Sequence, residues 1–421
     1  MAIDQVARTL IIEALAMLRK TDLPKRWSYS RETRQPGGQT SRSFSTEPDF
    51  SLHLGLILEK LGAFENFRVQ LTTDDNYRAV QRELSNDQKE KFWTRPKNLA
   101  FAIIGDHLKH HPTLYPKAAL IDEIVSNFSY CIANGVLGVR IVSPLEGFSS
   151  SARSVQVDDG LLITKLTPNK FLKLFPIKSV EQAMEHQTWG HLIEFSAEHP
   201  ITNVPHDEIN RKADFKKLVH ALRLLKPGKI AAPYSMWLPL KPGFINAQRG
   251  RRYSAFKNPI LRPEYRLLPK EANILRTIYA AMGNEFPRAV SIAADRIDVS
   301  VERRTKEDEF IDHIIALEAL FGDTNNATGS ISYKIALRAS MLMHNDKLSR
   351  ERTFSKLKRV IGIRGKVVHG ATTLSAMRQN DQELAFWLGV FARHAVTEIL
   401  LHYPDYAEAT ADEHILSLVR P

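Results

Sequence analysis

Arg364 and His369 lie five residues apart at the end of a basic, amphipathic segment that Gly370 closes. An arginine can neutralise a phosphate, and a histidine can accept or donate a proton near neutral pH. Cleavage of RNA without a metal ion needs both kinds of group. Arg364 and His369 are therefore the candidate catalytic residues of the chain.

Residues 350–369, which include this pair, have the apolar spacing of a helix. A charge on the apolar face of a helix must be paired or must open into a cleft or interface. Arg364 falls near the middle of that face, so a structural ion pair is the alternative to catalysis. Glu318, inside the apolar run Ala316–Leu320, is the natural partner. At about 100° per residue, the apolar face holds Phe354, Leu357, Val360, Ile361, Val367 and Val368.

His369 has two interpretations as well. It lies about 140° further around an ideal helix than Arg364, so the two side chains do not stack as an i, i+4 pair. Gly370 predicts that the helix ends here, which would relax that geometry. A histidine at a helix C-terminus is also favourable against the helix dipole without any catalytic role.

The charge balance favours a polyanionic partner. The chain has 421 residues and a formal net charge of +11, which favours RNA or DNA through the field alone. Lys356, Lys358, Arg359 and Lys366 lie close to the candidate site, and the last three are the candidate RNA-binding residues. A DNA-binding regulator is a further possibility, although no recognition-helix motif is present.

Several site classes are excluded or disfavoured. Cys131 is the single cysteine, which rules out a disulfide framework within one chain and fits a reducing compartment. The His107, His110 and His111 cluster is interpreted as a polar helix C-terminus rather than a metal site. No phosphate-binding loop, dinucleotide fingerprint or His-Glu-x-x-His motif occurs. We expect no cofactor and no metal.

Hydropathy and the N-terminal residues predict location. The first residues resemble an amphipathic helix rather than a signal peptide, and no run approaches the ~18 apolar residues of a membrane span. The sequence therefore predicts a cytoplasmic protein without a membrane partner.

The periodicity predicts an α+β fold in three consecutive regions. Residues 1–135 are mostly helical, with an irregular basic segment at 24–49 that is rich in Pro, Gly, Ser and Arg. Residues 136–270 mix strands and helices, with a hairpin-type turn at Asp158-Asp159-Gly160. Residues 271–421 are helical to the end. Within 249–266, basic residues alternate with aromatics such as Tyr265, which indicates either a nucleic-acid contact or a packed surface loop.

Three separated blocks together resemble the Apea-like branch of the HEPN superfamily. They are Asp312–Phe321, Tyr333–Ala339 and Arg364–Gly370. The resemblance covers roughly residues 275–405. It implies an all-α bundle that forms a homodimer, in which two Arg-x4-6-His motifs face each other. Gly365 departs from the family pattern, because the residue after the arginine is commonly polar there.

The resemblance also implies an activity. Active members are metal-independent endoribonucleases, many of them toxins or phage-defence proteins, with tRNA among their targets. His369 would act as acid and base, and Arg364 would stabilise the phosphorane. Glu318 and Arg338 would be structural or supporting residues. The region before the bundle would sense a phage-derived or other trigger. The alternative within the superfamily is a non-catalytic module that binds RNA, nucleotide or a protein partner.

Overall fold

The computed structural model describes most of the chain. The described residues are 2–21, 25–34, 40–48, 50–83, 95–111, 113–167, 190–201, 204–232, 235–241, 243, 248–249, 265–283, 287–322, 331–403 and 405–419.

The chain forms two compact units, and each unit combines separate stretches of sequence. The first unit comprises Met1–Pro144, Gly160–Ala213 and Pro233–Tyr253. The second unit comprises Leu145–Asp159, Asp214–Ala232 and Ser254–Pro421. The predicted middle region 136–270 therefore contributes residues to both units.

The first unit combines helices with an antiparallel sheet. Its helices are α1 Ile3–Arg19, α2 Phe50–Leu58, α3 Gly62–Thr73, α4 Asp75–Glu83, α5 Pro96–His110 and α6 Ala118–Asn134. Its strands are β1 Lys25–Arg34, β2 Thr40–Pro48, β3 Val136–Leu145, β6 Leu161–Lys165, β7 His191–Pro200, β8 Met236–Pro239 and β9 Gln248–Arg249. Within this unit the sheet order is β6-β7-β3-β8-β9, and β6 runs antiparallel to β7, as β8 does to β3 and β9.

The segment 24–49, which the sequence predicts to be irregular, contains a β-hairpin instead. Strands β1 and β2 pair antiparallel, with a register shift between Tyr29 and Arg31. The alternating Ser, Thr and aromatic residues of this segment favour an extended backbone. Composition alone did not predict these strands, because the same residue types are common in loops. Residues 35–39 lie outside the described part of the chain.

His107 differs from the interpretation as a charged helix end. Helix α5 ends at His110 as predicted, but the His107 side chain is fully buried. Burial, reinforced by the charge of His111, lowers the pKa of His107 to about 4. Its Nε2 accepts the backbone N–H of Lys117 at 3.2 Å. His107 is thus a neutral acceptor in the interior rather than a cation opposed to the dipole.

The second unit is mainly helical. The boundary between the units falls inside helix α7 Val204–Leu225, whose residues from Asp214 onward belong to the second unit. Its other elements are β4 Phe148–Ser150, β5 Ser154–Asp158, β10 Tyr265–Leu267, α8 Ala272–Ala281, α9 Arg288–Ser300, α10 Lys306–Phe321, α11 Ile331–Met343, α12 Lys347–Val368, α13 Gln379–His402 and α14 Glu408–Val419. Strands β4 and β10 pair in parallel, and β5 packs on α8. Tyr265 is fully buried and donates to the carbonyl of Leu222 at 2.8 Å, so this aromatic residue belongs to the core.

Helices of the C-terminal half and an antiparallel sheet in the N-terminal half confirm the α+β prediction. Among the described residues one helix, Gln379–His402, has the length and hydropathy of a membrane span. The same composition is found in core helices of soluble proteins, and 44% of that stretch is buried inside this protein. It also carries the buried cation Arg393.

Candidate functional site

Helix α12 carries the candidate catalytic pair. It begins at an N-cap, because the Asp346 side chain accepts the backbone N–H of Ser349 at 2.8 Å. The prediction of a helix over 350–369 is therefore accurate to within a few residues. One face of the helix packs into the second unit through Thr353, Leu357, Val360, Ile363 and Val367.

The end of α12 fixes the position of His369. Gly370 adopts a left-handed conformation with φ of +67°, as the sequence predicts. Its N–H donates to the Val367 carbonyl at 3.1 Å, and the Ala371 N–H donates to the Lys366 carbonyl at 2.9 Å. This is a Schellman termination, in which His369 is the C-cap. The His369 side chain is exposed at a defined position at the end of the helix.

Arg364 pairs with Glu318, as the alternative to catalysis predicts, but the pair is loose. Arg364 Nη2 lies 3.6 Å from Glu318 Oε1, which is longer than a good hydrogen bond. The side chains are 39% and 29% exposed, so the pair is not buried. The Arg364 Nε is buried and has no hydrogen-bond partner among the described residues. Groups among the described residues therefore hold this guanidinium only weakly.

A single chain does not bring Arg364 and His369 onto one face. The backbone is α-helical from Arg364 to Val368, so the two side chains point about 140° apart. Arg364 points toward Glu318 of α10, and His369 faces solvent. A site that uses both groups therefore needs either a rearranged helix end or the same residues from a second copy.

The three candidate RNA-binding residues are all exposed on α12. Arg359 already pairs with Asp381, with Nη2 to Oδ1 at 2.7 Å. Lys358 places its Nζ 5.6 Å from the ring centre of Phe354. Lys366 forms no ion pair among the described residues. Lys358 and Lys366 can therefore reach a phosphate without breaking a salt bridge, whereas Arg359 must share its charge.

Gly365 is not required by packing. A Cβ atom built at this position meets no atom within 4 Å. The backbone there is helical, so it does not need the conformational freedom of glycine either. The missing polar side chain between Arg364 and Lys366 is therefore a feature of the sequence rather than a steric necessity of the fold.

Arg338 is a structural residue in this arrangement. Its Nε and Nη2 donate to the carboxylate of Asp412 at 2.8 and 2.6 Å. Its Nη1 donates to the carbonyls of Phe321 and Gly322 at 3.2 and 2.7 Å. These carbonyls terminate α10, which leaves its last C=O groups without partners inside the helix. Arg338 thus holds the end of the helix that carries Glu318.

Asp312 and His313, which belong to the first family-like block, are buried in separate polar contacts. Asp312 accepts from Arg303 Nε at 2.5 Å and from Arg296 Nη1 at 3.2 Å. His313 Nε2 lies 3.1 Å from the Ser300 hydroxyl and 3.3 Å from Arg393 Nη1. No hydrogen bond or ion pair among the described residues joins Asp312 or His313 to Arg364 or His369. Both act as interior partners for cations and hydroxyls.

The contact between α10 and α13 at His313 depends on a glycine. A Cβ atom at Gly389 would lie 2.7 Å from His313 Cε1 and 3.2 Å from Arg393 Nη1. Only a residue without a side chain permits this approach. Sequence reasoning missed this cluster, because the helix that packs against Gly389 and Arg393 is set by tertiary packing rather than by local pattern.

His313 makes the stability of the protein sensitive to acid. Burial, reinforced by the charge of Arg393, lowers its pKa to about 3. Above about pH 6.5 the imidazole is neutral in both states, so it adds no pH dependence. As the pH falls below that value, His313 binds a proton in the unfolded state, whereas in the folded state it binds one only near pH 3. Stability should therefore fall toward acid, by up to ~1.4 kcal/mol per pH unit from this group.

Urea denaturation at pH 7 and pH 5 measures this effect. His313→Asn should show a smaller loss between the two pH values than the wild type. His402→Asn, which changes an exposed histidine of α13, should keep the wild-type dependence. An identical acid dependence in His313→Asn would show that other groups cause it. Proton NMR of the imidazole provides a second readout if the variant does not fold.

The described residues contain no cluster of three or more His, Cys, Asp or Glu side chains that could hold a metal ion. A scan against protein-family models, a search of curated proteins and a search of solved structures each found no match. The family resemblance of the three blocks therefore stays a prediction.

Proposed function

We propose that the chain is a metal-independent endoribonuclease of the HEPN type that acts as a homodimer through its C-terminal helices. One observation carries the proposal. Arg364 is only loosely paired, has a buried Nε without a partner, and lies on the same cationic helix as an exposed His369 held at the C-cap. A loosely paired and partly exposed guanidinium can turn to a phosphate oxygen, because a charge-assisted hydrogen bond to phosphate is stronger than its present contact with Glu318.

The chemistry follows from the two groups. One imidazole of His369 removes the proton of a ribose 2′-OH, and the resulting oxygen attacks the adjacent phosphorus. Arg364 stabilises the charge that develops on the phosphorane oxygens. A protonated His369 then donates to the leaving 5′-oxygen. The products are a 2′,3′-cyclic phosphate and a 5′-hydroxyl, and no water or metal enters this step.

Two copies of the chain can place an arginine opposite a histidine, which one copy does not do. Because Arg364 and His369 point about 140° apart on α12, the arginine of one protomer can face the histidine of the other across a dimer axis. A dimer also provides two imidazoles, so one can act as base while the other acts as acid. The resemblance favours the same arrangement.

The biological setting is part of the proposal. The resemblance points to tRNA or another cellular RNA as substrate, cleaved in the cytoplasm during abortive infection. The residues before the helical bundle would then restrain the nuclease until a phage-derived or other trigger arrives. The net charge of +11 supports a polyanionic substrate.

A cleavage assay tests the proposal. Purified full-length protein is incubated with total tRNA in a chelator, and the product ends are mapped. His369→Ala should lower the rate by about 10²–10⁴-fold, the usual contribution of a general acid or base. His402→Ala, a control at another exposed histidine of the same unit, should cut like the wild type. Equal rates in His369→Ala and wild type would show that the assignment is wrong.

A second candidate function is a non-catalytic module that binds RNA, nucleotide or a protein. The separation of Arg364 and His369 within one chain, the ion pair to Glu318 and the absence of a polar residue at Gly365 favour it. In the same assay this module would retain RNA without cutting it, and His369→Ala would leave that binding unchanged.

A further inference from the structure

Two aromatic residues near the start of α13 form a surface that the proposed chemistry does not use. Phe386 is 70% exposed, which is the highest exposure among the large apolar side chains of the described residues. Trp387 is half-buried and stacks on Phe391, with ring centres 5.0 Å apart and planes inclined by 25°. We call Phe386 and Trp387 the aromatic pair. Their side chains project about 100° apart around α13, with the stacked ring of Trp387 in one direction and the exposed ring of Phe386 in the other.

A cation of α12 lies over Trp387 of the aromatic pair. Lys356 places its Nζ 4.9 Å from the centre of the Trp387 ring. Arg352, Lys356, Arg359 and Lys366 form a cationic row, because their spacing keeps them within about 80° around the helix. All four side chains are exposed, and only Arg359 forms an ion pair among the described residues.

The cationic row leads from the aromatic pair toward the candidate site. Lys356 and His369 are 13 residues apart on α12, which corresponds to about 20 Å along the helix axis. Lys366 lies one turn before His369. Charges spaced in this way follow a phosphate backbone, and exposed rings beside them can receive its bases.

We propose that the aromatic pair stacks on the bases of a single-stranded RNA segment while the cationic row holds its phosphates. The inference rests on the proposed function, because it supplies the surface that delivers the strand to His369. Stacking is tolerant of sequence, since every base has an aromatic face. The surface would therefore select unpaired RNA, such as a loop, rather than a particular base.

The positive charge of this surface favours RNA over a second copy of the chain as its partner. The proposed dimer brings together the C-terminal ends of the two α12 helices. Two copies that met instead through the aromatic pair and the earlier part of the row, Arg352 to Arg359, would bring like charges together, which is unfavourable across an interface. A polynucleotide neutralises the same cations and releases counterions. The combination of exposed rings with positive charge is thus better suited to a nucleic acid than to self-association.

Binding to matched strands tests the inference. The probes are a fluorescent 2′-O-methyl oligouridine of about twelve nucleotides, which lacks the attacking hydroxyl, and an abasic strand of equal length. Full-length wild type should bind the oligouridine about tenfold more tightly than the abasic strand, because only the former has bases to stack. Phe386→Ala and Trp387→Leu should lose most of this preference and keep their affinity for the abasic strand. Tyr115→Ala, at an exposed aromatic residue in the first unit that also faces an arginine, should behave like the wild type.

The outcomes separate this inference from the proposed function. If the protein cuts RNA but Phe386→Ala keeps the preference for bases, the inference is wrong and the nuclease stands. If the preference is lost in Phe386→Ala but no RNA is cut, the stacking surface stands without the nuclease. If Phe386→Ala instead changes the oligomeric state in sedimentation, the face is an interface between copies and the inference is overturned.

Discussion

Replacing Arg364 with alanine is expected to reduce RNA cleavage at least ~100-fold while lowering the melting temperature by only a few degrees. The first effect is expected from the proposed role of Arg364, in which its charge stabilises the phosphorane. The second follows from geometry, because a half-exposed pair at 3.6 Å contributes about 0–1 kcal/mol to stability. Cleavage rates and thermal denaturation of the purified variant measure both quantities.

A large loss of stability in Arg364→Ala would contradict this prediction. If Arg364 were a buried structural cation, its removal would cost ~3–5 kcal/mol, and activity would disappear only together with the fold. Glu318→Gln is the matched variant, since it removes the carboxylate and keeps the guanidinium. It should melt like Arg364→Ala but retain cleavage within severalfold. Arg364→Lys should be intermediate, because a lysine keeps the charge without the planar fork.

Helix periodicity predicted the elements that position the site. The pattern expected over 350–369 is α12, and Gly370 ends it because that position needs a left-handed backbone. The apolar run around Glu318 is α10, and the pairing of Glu318 with Arg364 was predicted as well. These successes rest on local rules, since apolar spacing and a terminal glycine act over one or two turns.

The sequence could not predict how far each side chain is buried. Arg364 lies near the middle of the apolar face on a helical wheel, yet its side chain is 39% exposed beside Glu318 of α10. The buried contacts among His313, Gly389 and Arg393 depend on two helices separated in sequence. The exposure of Phe386 likewise depends on which face of α13 is covered by other helices. An apolar residue in a helix is usually expected in the core, so its sequence position did not predict this exposure.

The hairpin at 25–48 was missed for a different reason. Its Ser, Thr and Arg residues are equally common in loops and in two-stranded ribbons, and only pairing between strands distinguishes the two. Residues 250–264, which hold most of the predicted basic and aromatic segment, lie outside the described part of the chain. Tyr265 at its end lies in a strand, and its buried ring packs into the domain, as the alternative to a nucleic-acid contact predicts for the aromatic residues.

Arg338→Met is expected to lower the free energy of unfolding by about 3 kcal/mol and the melting temperature by roughly 6–12 °C. The Arg338 side chain is buried, and methionine fills a similar volume without donors. The carbonyls of Phe321 and Gly322 would then lose a charged partner at the end of α10. Asp412 is half-exposed and can be solvated, so the main cost comes from the two carbonyls.

Chemical denaturation of the full chain measures this loss, with Lys347→Met as the matched control. Lys347 is almost fully exposed, so its replacement should change stability by less than about 0.5 kcal/mol. A variant Arg338→Met that is as stable as the wild type but no longer cuts RNA would place Arg338 in the site itself. A destabilised variant that still cuts RNA below its melting temperature would instead identify Arg338 as the residue that anchors the end of α10, and with it the position of Glu318 beside Arg364.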